Sequence, residues 1–296
     1  MYKSGFIGIV GRPNVGKSTL LNTILGENIA ITSPKPQTTR NRIMGIKHLT
    51  DGQMIFLDTP GIHDPHKPLN AAMVKTARSV VGEVDVLLAL IEAGDRLRPE
   101  DSDWLATLSP YRERTITIIN KVDLLVRKES LLPLIATARE TFPCRAFLPL
   151  CARTGDGVPA LLAEIRALLP EGPPYFPEDM LTDRSERFIA AEIIREKILT
   201  YIYKEIPYVA AVVVDAFREE EGRNLLRIEA TINVERPSQK KILIGRNGDM
   251  LKRIGTAARL DMERFFAARI FLRLFVRVQK DWTHSEKLVR EFGYEP

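Results

Sequence analysis

Gly11-Arg12-Pro13-Asn14-Val15-Gly16-Lys17-Ser18 decides how this chain is read. The stretch has the form Gly-x-x-x-x-Gly-Lys-Ser/Thr, whose glycines let the backbone wrap close around a chain of phosphates. Its flanks agree with that reading. Phe6-Ile7-Gly8-Ile9-Val10 is an apolar run of buried-strand type, and Ser18 to Leu25 spaces its apolar residues as a helix does. A loop between strand and helix offers an anion free N–H groups and the positive end of the helix dipole. In that setting Lys17 neutralises phosphate oxygens and the Ser18 hydroxyl goes to Mg²⁺, so Gly11 through Thr19 become the candidate triphosphate contacts. The alternative is a glycine-bearing turn followed by a surface lysine.

Ala30 to Arg42 follows as a polar, proline-punctuated loop containing Ser33-Pro34-Lys35-Pro36-Gln37-Thr38-Thr39-Arg40. A threonine here can complete a magnesium shell only when a γ-phosphate draws it in; Thr39 is the first choice and Thr38 the second. Met54-Ile55-Phe56-Leu57 is the next strand-like run and ends at Asp58-Thr59-Pro60-Gly61. Asp58 is placed for a water-mediated Mg²⁺ contact, and Gly61 can turn its N–H to the γ-phosphate. Beyond it, Ile62 to Pro68 reads as a loop whose His63 and His66 lack a third ligand and are read as solvated.

Val84 to Ile91 is a third apolar run and Thr115 to Ile119 a fourth, which runs directly into Asn120-Lys121-Val122-Asp123. A carboxylate at Asp123 can accept from both N1–H and the exocyclic amine of guanine. Adenine presents a lone pair and a C–H there, so a buried site built for the donors discriminates on the order of 10⁴-fold. Lys121 would lie along the base plane and Asn120 would tie segments together, although the same tetrapeptide can also cap a helix. The fifth run, Phe147 to Leu150, ends at Cys151-Ala152-Arg153-Thr154-Gly155, where the Ala152 N–H can reach the guanine O6. Helical segments around 70–81, 100–108, 130–141 and 158–169 separate the runs. Strands alternating with helices, each strand ending in a candidate ligand, predict an α/β domain with a doubly wound, mostly parallel sheet.

Composition bounds the rest. The 296 residues are 45% hydrophobic and 27% charged, ordinary for a globular chain of two domains. The longest apolar runs, such as Val86 to Ile91 and Val209 to Val214, are too short to span a bilayer, and no amino-terminal signal pattern is visible. Two cysteines, Cys144 and Cys151, build no disulfide framework, which fits a cytoplasmic location. The net charge of +5 is unevenly placed: Arg236 to Lys280 holds twelve Lys and Arg against three acids, a net +9, which leaves −4 for the remainder. Such a basic module suits a polyanion, though a solvated helix face would look the same.

Pro170-Glu171-Gly172-Pro173-Pro174-Tyr175-Phe176-Pro177 marks the domain boundary. The expected division is 1–170, a linker at 171–183, and 184–296. In the last segment Asp183-x-x-Glu186 has capping-box form and opens a helix with the stripe Phe188, Ala191, Ile194, Ile198, Ile202. Val209 to Phe217 reads as a strand, Glu219 to Gly222 as a charged turn, and Leu226, Ile228, Ala230, Ile232, Val234 alternate with polar residues as a half-buried partner strand. Next come Lys240 to Ile244, Gly245-Arg246-Asn247-Gly248, a helix to about Phe266 and a last strand with Leu272, Leu274, Val276 and Val278 on one face. Gly-x-x-Gly between two helices, in this order and inside the +9 segment, predicts an α+β KH module of type II that clamps single-stranded RNA. Lys240, Lys241, Ile244, Gly245, Arg246, Asn247, Gly248 and Lys252 are its candidate contacts, with a basic protein-binding domain as the alternative.

The ordered set Gly-x-x-x-x-Gly-Lys-Ser, Thr, Asp-x-x-Gly and Asn-Lys-x-Asp resembles the translation-factor-like GTPases. The phosphate loop together with Gln37-Thr38-Thr39-Arg40 narrows the resemblance to their Era-related branch, and with the KH module it covers Phe6 to Tyr294. One departure is Cys151-Ala152 where the branch usually has Ser-Ala. The resemblance implies a P-loop GTPase that binds GTP and GDP with Mg²⁺ through Gly11 to Thr19, Asp58 to Ile62, Asn120 to Asp123, Cys151 and Ala152. Ser18, Thr39 and Asp58 hold the metal, and Lys17, Thr39, Gly61 and Asn14 serve hydrolysis. Ile62 stands where many Ras-like GTPases orient water with glutamine, so slow intrinsic turnover is expected, and Asn14 is the residue associated with a potassium ion. The same resemblance implies binding to small-subunit ribosomal RNA near its 3′ end, small ribosomal subunit maturation, no DNA partner, and peripheral contact with the inner face of the cell membrane. Its rival is a membrane-associated regulatory GTPase whose basic domain meets anionic lipid or protein.

Overall fold

The chain is described from a computed structural model that covers residues 1–33, 35, 38–61, 79–203, 205–220 and 222–294. These gather into two compact units, one formed by 1–30, 39–61 and 79–183 and the other by 31–33, 35 and 38 with 184–203, 205–220 and 222–294.

The first unit's elements are β1 (Lys3–Gly11), α1 (Lys17–Leu25), β2 (Ile43–Leu49), β3 (Gly52–Asp58), β4 (Val86–Glu92), α2 (Pro99–Ala106), β5 (Thr115–Asn120), α3 (Leu131–Thr141), β6 (Ala146–Pro149) and α4 (Val158–Leu168). They build one sheet in the order β2-β3-β1-β4-β5-β6, parallel throughout except for β2. Parallel strands covered on both faces need apolar residues at every position. Val86 through Ile91 accordingly lose all contact with solvent, as do Ile7, Ile9 and Val10 of β1. This is the mostly parallel doubly wound sheet that the sequence predicts.

One strand is additional. β2 falls just after the expected loop and pairs antiparallel with β3, Ile43 opposite Asp58 and Leu49 opposite Gly52. Its first four residues are buried and the next three only partly so, which leaves too short a run to read as either a buried or an alternating strand. The helix expected at 70–81 lies mostly outside the described residues, of which 79–83 are helical. The proline-rich stretch expected to act as linker is bonded along the first unit. Gln53 Nε2 donates to the Phe176 carbonyl at 2.8 Å, Ile46 N to Leu181 O at 2.8 Å and Thr182 Oγ1 to Met44 O at 2.6 Å.

The second unit runs α5 (Glu186–Tyr201), a helical turn (Ile206–Val209), β7 (Ala211–Glu220), β8 (Leu225–Val234), α6 (Pro237–Ile244), α7 (Asp249–Phe266), β9 (Arg269–Val278) and α8 (Glu286–Glu291). Its sheet has the order β7-β8-β9, antiparallel between the first pair and parallel between the second. Ile189, Ile194 and Ile198 of α5, Ile254 and Ala258 of α7 and the inward residues of the sheet form its core. Three local expectations change. Ser185 caps α5, accepting from Phe188 N at 3.3 Å, so the capping role read into Asp183 falls to the shorter side chain next to the first turn. Val209 closes a helical turn and the strand begins at Ala211, continuing through Glu219 and Glu220 where the sequence predicts a turn. Beyond β9, Trp282 is fully buried against the rings of Phe292 and Tyr294, an aromatic cluster with no periodicity to announce it. Arg195 is buried with Glu192 at 2.7 Å, and its guanidinium also donates to the Thr38 carbonyl. Among the described residues no helix is long and apolar enough to cross a membrane.

Candidate nucleotide site and nucleic-acid groove

β1 delivers the chain to Gly11 and α1 takes it up at Lys17. Between them Asn14 (φ 63°) and Gly16 (φ 101°) adopt left-handed backbone, and no side chain caps α1, so its first N–H groups face the loop. Gly16 is fixed by a neighbour. A Cβ there would stand 2.2 Å from Asn120 Nδ2, so only glycine lets that carboxamide lie against the loop. Asn120, at the end of β5, donates to the Val15 carbonyl at 2.7 Å and accepts from the Ala152 N–H at 2.9 Å. One buried side chain thus joins the phosphate loop, the Asn-Lys-x-Asp segment and the turn after β6.

At the phosphate end Lys17 is buried and donates to the carbonyls of Gly11 (3.0 Å) and Arg12 (2.9 Å). Burial lowers its pKa to about 8 against the opposing pull of Asp58. Asp58, at the end of β3 and fully buried, is pushed up to about 6 by burial, while the Lys17 charge and the Ser18 hydroxyl resist the shift. Ser18 Oγ donates to Asp58 Oδ2 at 2.6 Å and lies 2.7 Å from Thr39 Oγ1. Asp58 Oδ1 is buried with no hydrogen-bond partner among the described residues. Three converging oxygens, one of them an orphaned carboxylate's, are the donor set a hard divalent cation prefers. Thr38 does not join them, since its hydroxyl donates to Lys35 O at 2.6 Å.

The other expected contacts have definite places. Thr59 Oγ1 donates to Ile9 O at 2.8 Å, and Gly61 packs so closely on the loop that a Cβ would meet Pro13 N at 2.8 Å. Arg12 turns away to Asp101 at 2.7 Å. Ile62, His63 and His66 lie outside the described residues.

The base end is ready-held. Asp123 sits in a short 3₁₀ turn, Val122–Leu124, entered through Lys121 in left-handed backbone (φ 68°). Its Oδ1 accepts from the Cys151 thiol at 3.0 Å and its Oδ2 from Arg153 at 2.8 Å. The thiol's hydrogen bond is the chief reason its pKa lies below the usual carboxylate value. Lys121 Nζ is pinned by Glu92 Oε1 at 3.0 Å, at the end of β4. The Ala152 amide, expected to face guanine O6, is given to Asn120 here. Glu92 and Arg153 are site residues beyond those expected, and Cys151, expected at the base, proves to hold Asp123; the position of Glu92 at a strand end is the one signal in the sequence for the added pair.

In the second unit Gly245 (φ 75°), Asn247 (φ 53°) and Gly248 (φ 83°) put three left-handed residues into a four-residue loop. A groove of about 390 Å³ opens beside it, lined by Gly248, Leu251, Lys252, Gly255, Thr256, Arg259, Leu272 and Leu274. Of the expected RNA contacts, Gly248 and Lys252 line it. Lys240, Lys241, Ile244, Gly245, Arg246 and Asn247 belong to α6 and the loop, with Lys241, Arg246 and Asn247 exposed. The wall was legible as two rows of helical spacing, Gly248-Lys252-Thr256 and Leu251-Gly255-Arg259.

Residues 6–121 match the 50S ribosome-binding GTPase family and residues 205–283 the KH domain family. GTPase Era of Syntrophus aciditrophicus is 60% identical over 294 residues, covering 99% of this chain and 96% of that protein; GTPase Era of Geobacter metallireducens is 51% identical over 293 residues, covering 99% and 98%. Among solved structures, Era in complex with MgGDPNP and nucleotides 1506–1542 of 16S ribosomal RNA superposes with a TM-score of 0.96 at 40% identity, over 100% of both chains. A point variant of Aquifex aeolicus Era bound to GDP·AlF4⁻ gives 0.95 at 40% identity, over 99% and 100%.

Proposed function

Because the chain belongs to the Era family of GTPases, we propose that it is a GTP-operated switch that grips single-stranded RNA near the 3′ end of small-subunit ribosomal RNA and assists maturation of the small ribosomal subunit. The observation that carries this reading is Asn120, which holds the phosphate loop and the guanine end of one crevice together through two hydrogen bonds.

Gly11 through Thr19 wrap the phosphates, and Lys17 transfers its donated hydrogen bonds from the Gly11 and Arg12 carbonyls to phosphate oxygens. Ser18, Thr39 and Asp58 would hold Mg²⁺, which when bound neutralises charge on the β- and γ-phosphates. Thr39 reaches that cluster from a loop, and Gly61 offers its N–H from the far side, so both answer to the presence of a γ-phosphate. Asn120, Lys121, Val122 and Asp123 with Cys151 and Ala152 surround the base. Hydrolysis takes GTP and water to GDP and phosphate. With Ile62 in place of a water-orienting glutamine and Arg12 engaged by Asp101, the intrinsic rate is slow, and Asn14 would help hold a potassium ion, which would supply positive charge beside the phosphates. Turnover equal in sodium and potassium at matched ionic strength would remove that last assignment.

The relative that carries 16S nucleotides 1506–1542 matches this chain end to end, which supports the same RNA as partner of the groove beside Gly248. We take 1–170 as the G domain, 171–183 as connector and 184–296 as the KH domain, acting in the cytoplasm with RNA rather than anionic lipid on the basic face and no DNA. The test compares affinity for that RNA with GDP and with a non-hydrolysable GTP analogue. Tighter binding with the analogue is expected; equal affinities would reduce the nucleotide to a structural cofactor.

A further inference from the structure

Resting on that RNA reading, we propose that the outer face of the second unit's sheet is a second RNA surface, one that stacks unpaired bases lying beyond the nucleotides held in the groove.

β9 is two-faced. Inward, Ile270, Leu272, Leu274, Val276 and Val278 pack on the core. Outward stand Arg269, Phe271, Arg273, Phe275 and Arg277, all exposed, a strict alternation of cation and ring. Phe271 and Phe275 are 46% and 47% exposed although the same strand has a core to bury them in. Both rings stand on one structured face, where flat apolar area is open to a partner. Each ring already lies under a guanidinium, Arg227 at 5.0 Å from the Phe271 centroid and Arg273 at 5.7 Å from that of Phe275. This is the flat, cationic stacking by which proteins hold splayed bases. Four residues along a strand put the two rings about 13 Å apart, so each meets a different base.

Charge decides the class of partner. No acid stands on the β9 row. The carboxylates that share this outer face are spoken for: Glu229 by Arg273 at 3.7 Å, Glu220 by Arg227, and Asp215 by the Thr231 hydroxyl at 2.7 Å; Glu219 pairs across to Leu226, on the opposite face. Arg269 and Arg277, at the two ends of the row, have no ion pair among the described residues and face solvent. A row of three arginines with no acid among them calls for a partner that carries negative charge along its length. A duplex could use the arginines but would give the rings no base faces, so an unpaired polyanion with flat bases fits both. Geometry supplies continuity: β9 is an edge strand whose inward Leu272 and Leu274 wall the groove, so RNA leaving the groove crosses one strand to reach the outer row. The RNA in the related complex, nucleotides 1506–1542, is many times longer than the four nucleotides a KH clamp holds.

The test uses the full chain with a GTP analogue and two probes by fluorescence anisotropy: RNA 1506–1542, and hexanucleotides tiling it, of which the tightest reports the groove. Phe271→Ala with Phe275→Ala should weaken the long RNA about thirtyfold and leave the hexanucleotide within about twofold. Phe271→Tyr with Phe275→Tyr should keep wild-type affinity, and an unchanged melting curve and GTP affinity show that the alanine variant is folded. Arg269→Gln with Arg277→Gln should lower the slope of log K against log salt by about 0.7 per arginine. Gly248→Asp should weaken both probes. Should Gly248→Asp weaken neither, the RNA reading of the groove itself fails. If it weakens both while the alanine pair weakens neither, or weakens both alike, the outer face is not an RNA surface. A dimer in sedimentation that the alanine pair abolishes would assign the face to a second copy and overturn the proposal.

Discussion

Lys17 and Asp58 lie buried in one another's field, and each titrates away from its ordinary range, the lysine lowered to about 8 and the carboxyl raised to about 6. The first cause in both is loss of water, which disfavours each charged form; the partner's charge offsets only part of it. A carboxyl whose folded pKa is raised stabilises the fold fully below its unfolded value, near 4, and loses that contribution as pH rises through about 6. In nucleotide-free protein the melting temperature of wild type minus that of Asp58→Asn should therefore fall between pH 4 and pH 6. Magnesium needs the ionised carboxylate, so Mg²⁺-dependent GTP affinity should drop about tenfold per pH unit below 6. Calorimetry in matched buffers at pH 5, 6 and 7 measures it, and a flat profile would detach Asp58 from the metal.

Asn120→Ala would orphan two backbone groups, the Val15 carbonyl and the Ala152 N–H, both now bonded to the buried carboxamide. Each unmade buried partner costs about 1–3 kcal/mol, so a loss of that order in unfolding free energy should accompany weaker GTP binding. Chemical denaturation with and without GTP separates the two effects. Binding lost with stability intact would mean that Asn120 touches the nucleotide but does not organise the crevice.

That contrast shows what a sequence can and cannot carry. Phosphate loop, Asp58 and Asn120 were legible because parallel strands buried on both faces spell continuous apolar runs, and ligands gather where such runs stop. β2 escaped because only four of its residues are buried and Lys47 and His48 break the pattern. Contacts between side chains far apart in the chain left no local trace: Glu92 on Lys121, Arg153 on Asp123, Trp282 on Tyr294. The wall of the groove lay between these cases. Its helical spacing was there, but nothing local said which face of α7 would stay uncovered.

Arg153 holds Asp123 Oδ2 at 2.8 Å and so competes for the oxygen to which guanine is proposed to donate. Its side chain is 75% exposed, so the pair is weak and its removal a modest gain. Arg153→Ala should raise the GTP association rate about two- to fivefold in stopped flow. Cys151 acts in the opposite sense, since its thiol fixes the other oxygen without occupying the base's approach. Cys151→Ser should keep affinity near wild type and Cys151→Ala lower it about tenfold, the size of one charge-assisted hydrogen bond. If the alanine variant binds as tightly as the serine one, the thiol has no positioning role.

Gly61 separates hydrolysis from binding. A Cβ at this position would stand 2.8 Å from Pro13 N, 2.9 Å from Pro13 Cα and 3.0 Å from its Cγ, and neither backbone nor a proline ring can yield. Gly61→Ala must push the segment that follows β3 away from the phosphate loop, carrying the residue 61 N–H from the place proposed for the γ-phosphate. GDP has no group there. Turnover should fall about 10²- to 10³-fold, the range for losing one well-placed donor to developing charge, while GDP affinity stays within about threefold. Single-turnover hydrolysis beside GDP titration reads both. A GDP affinity that falls as far as the rate would mean that the substitution disrupts the loop as a whole, and that Gly61 has no separate duty toward the third phosphate.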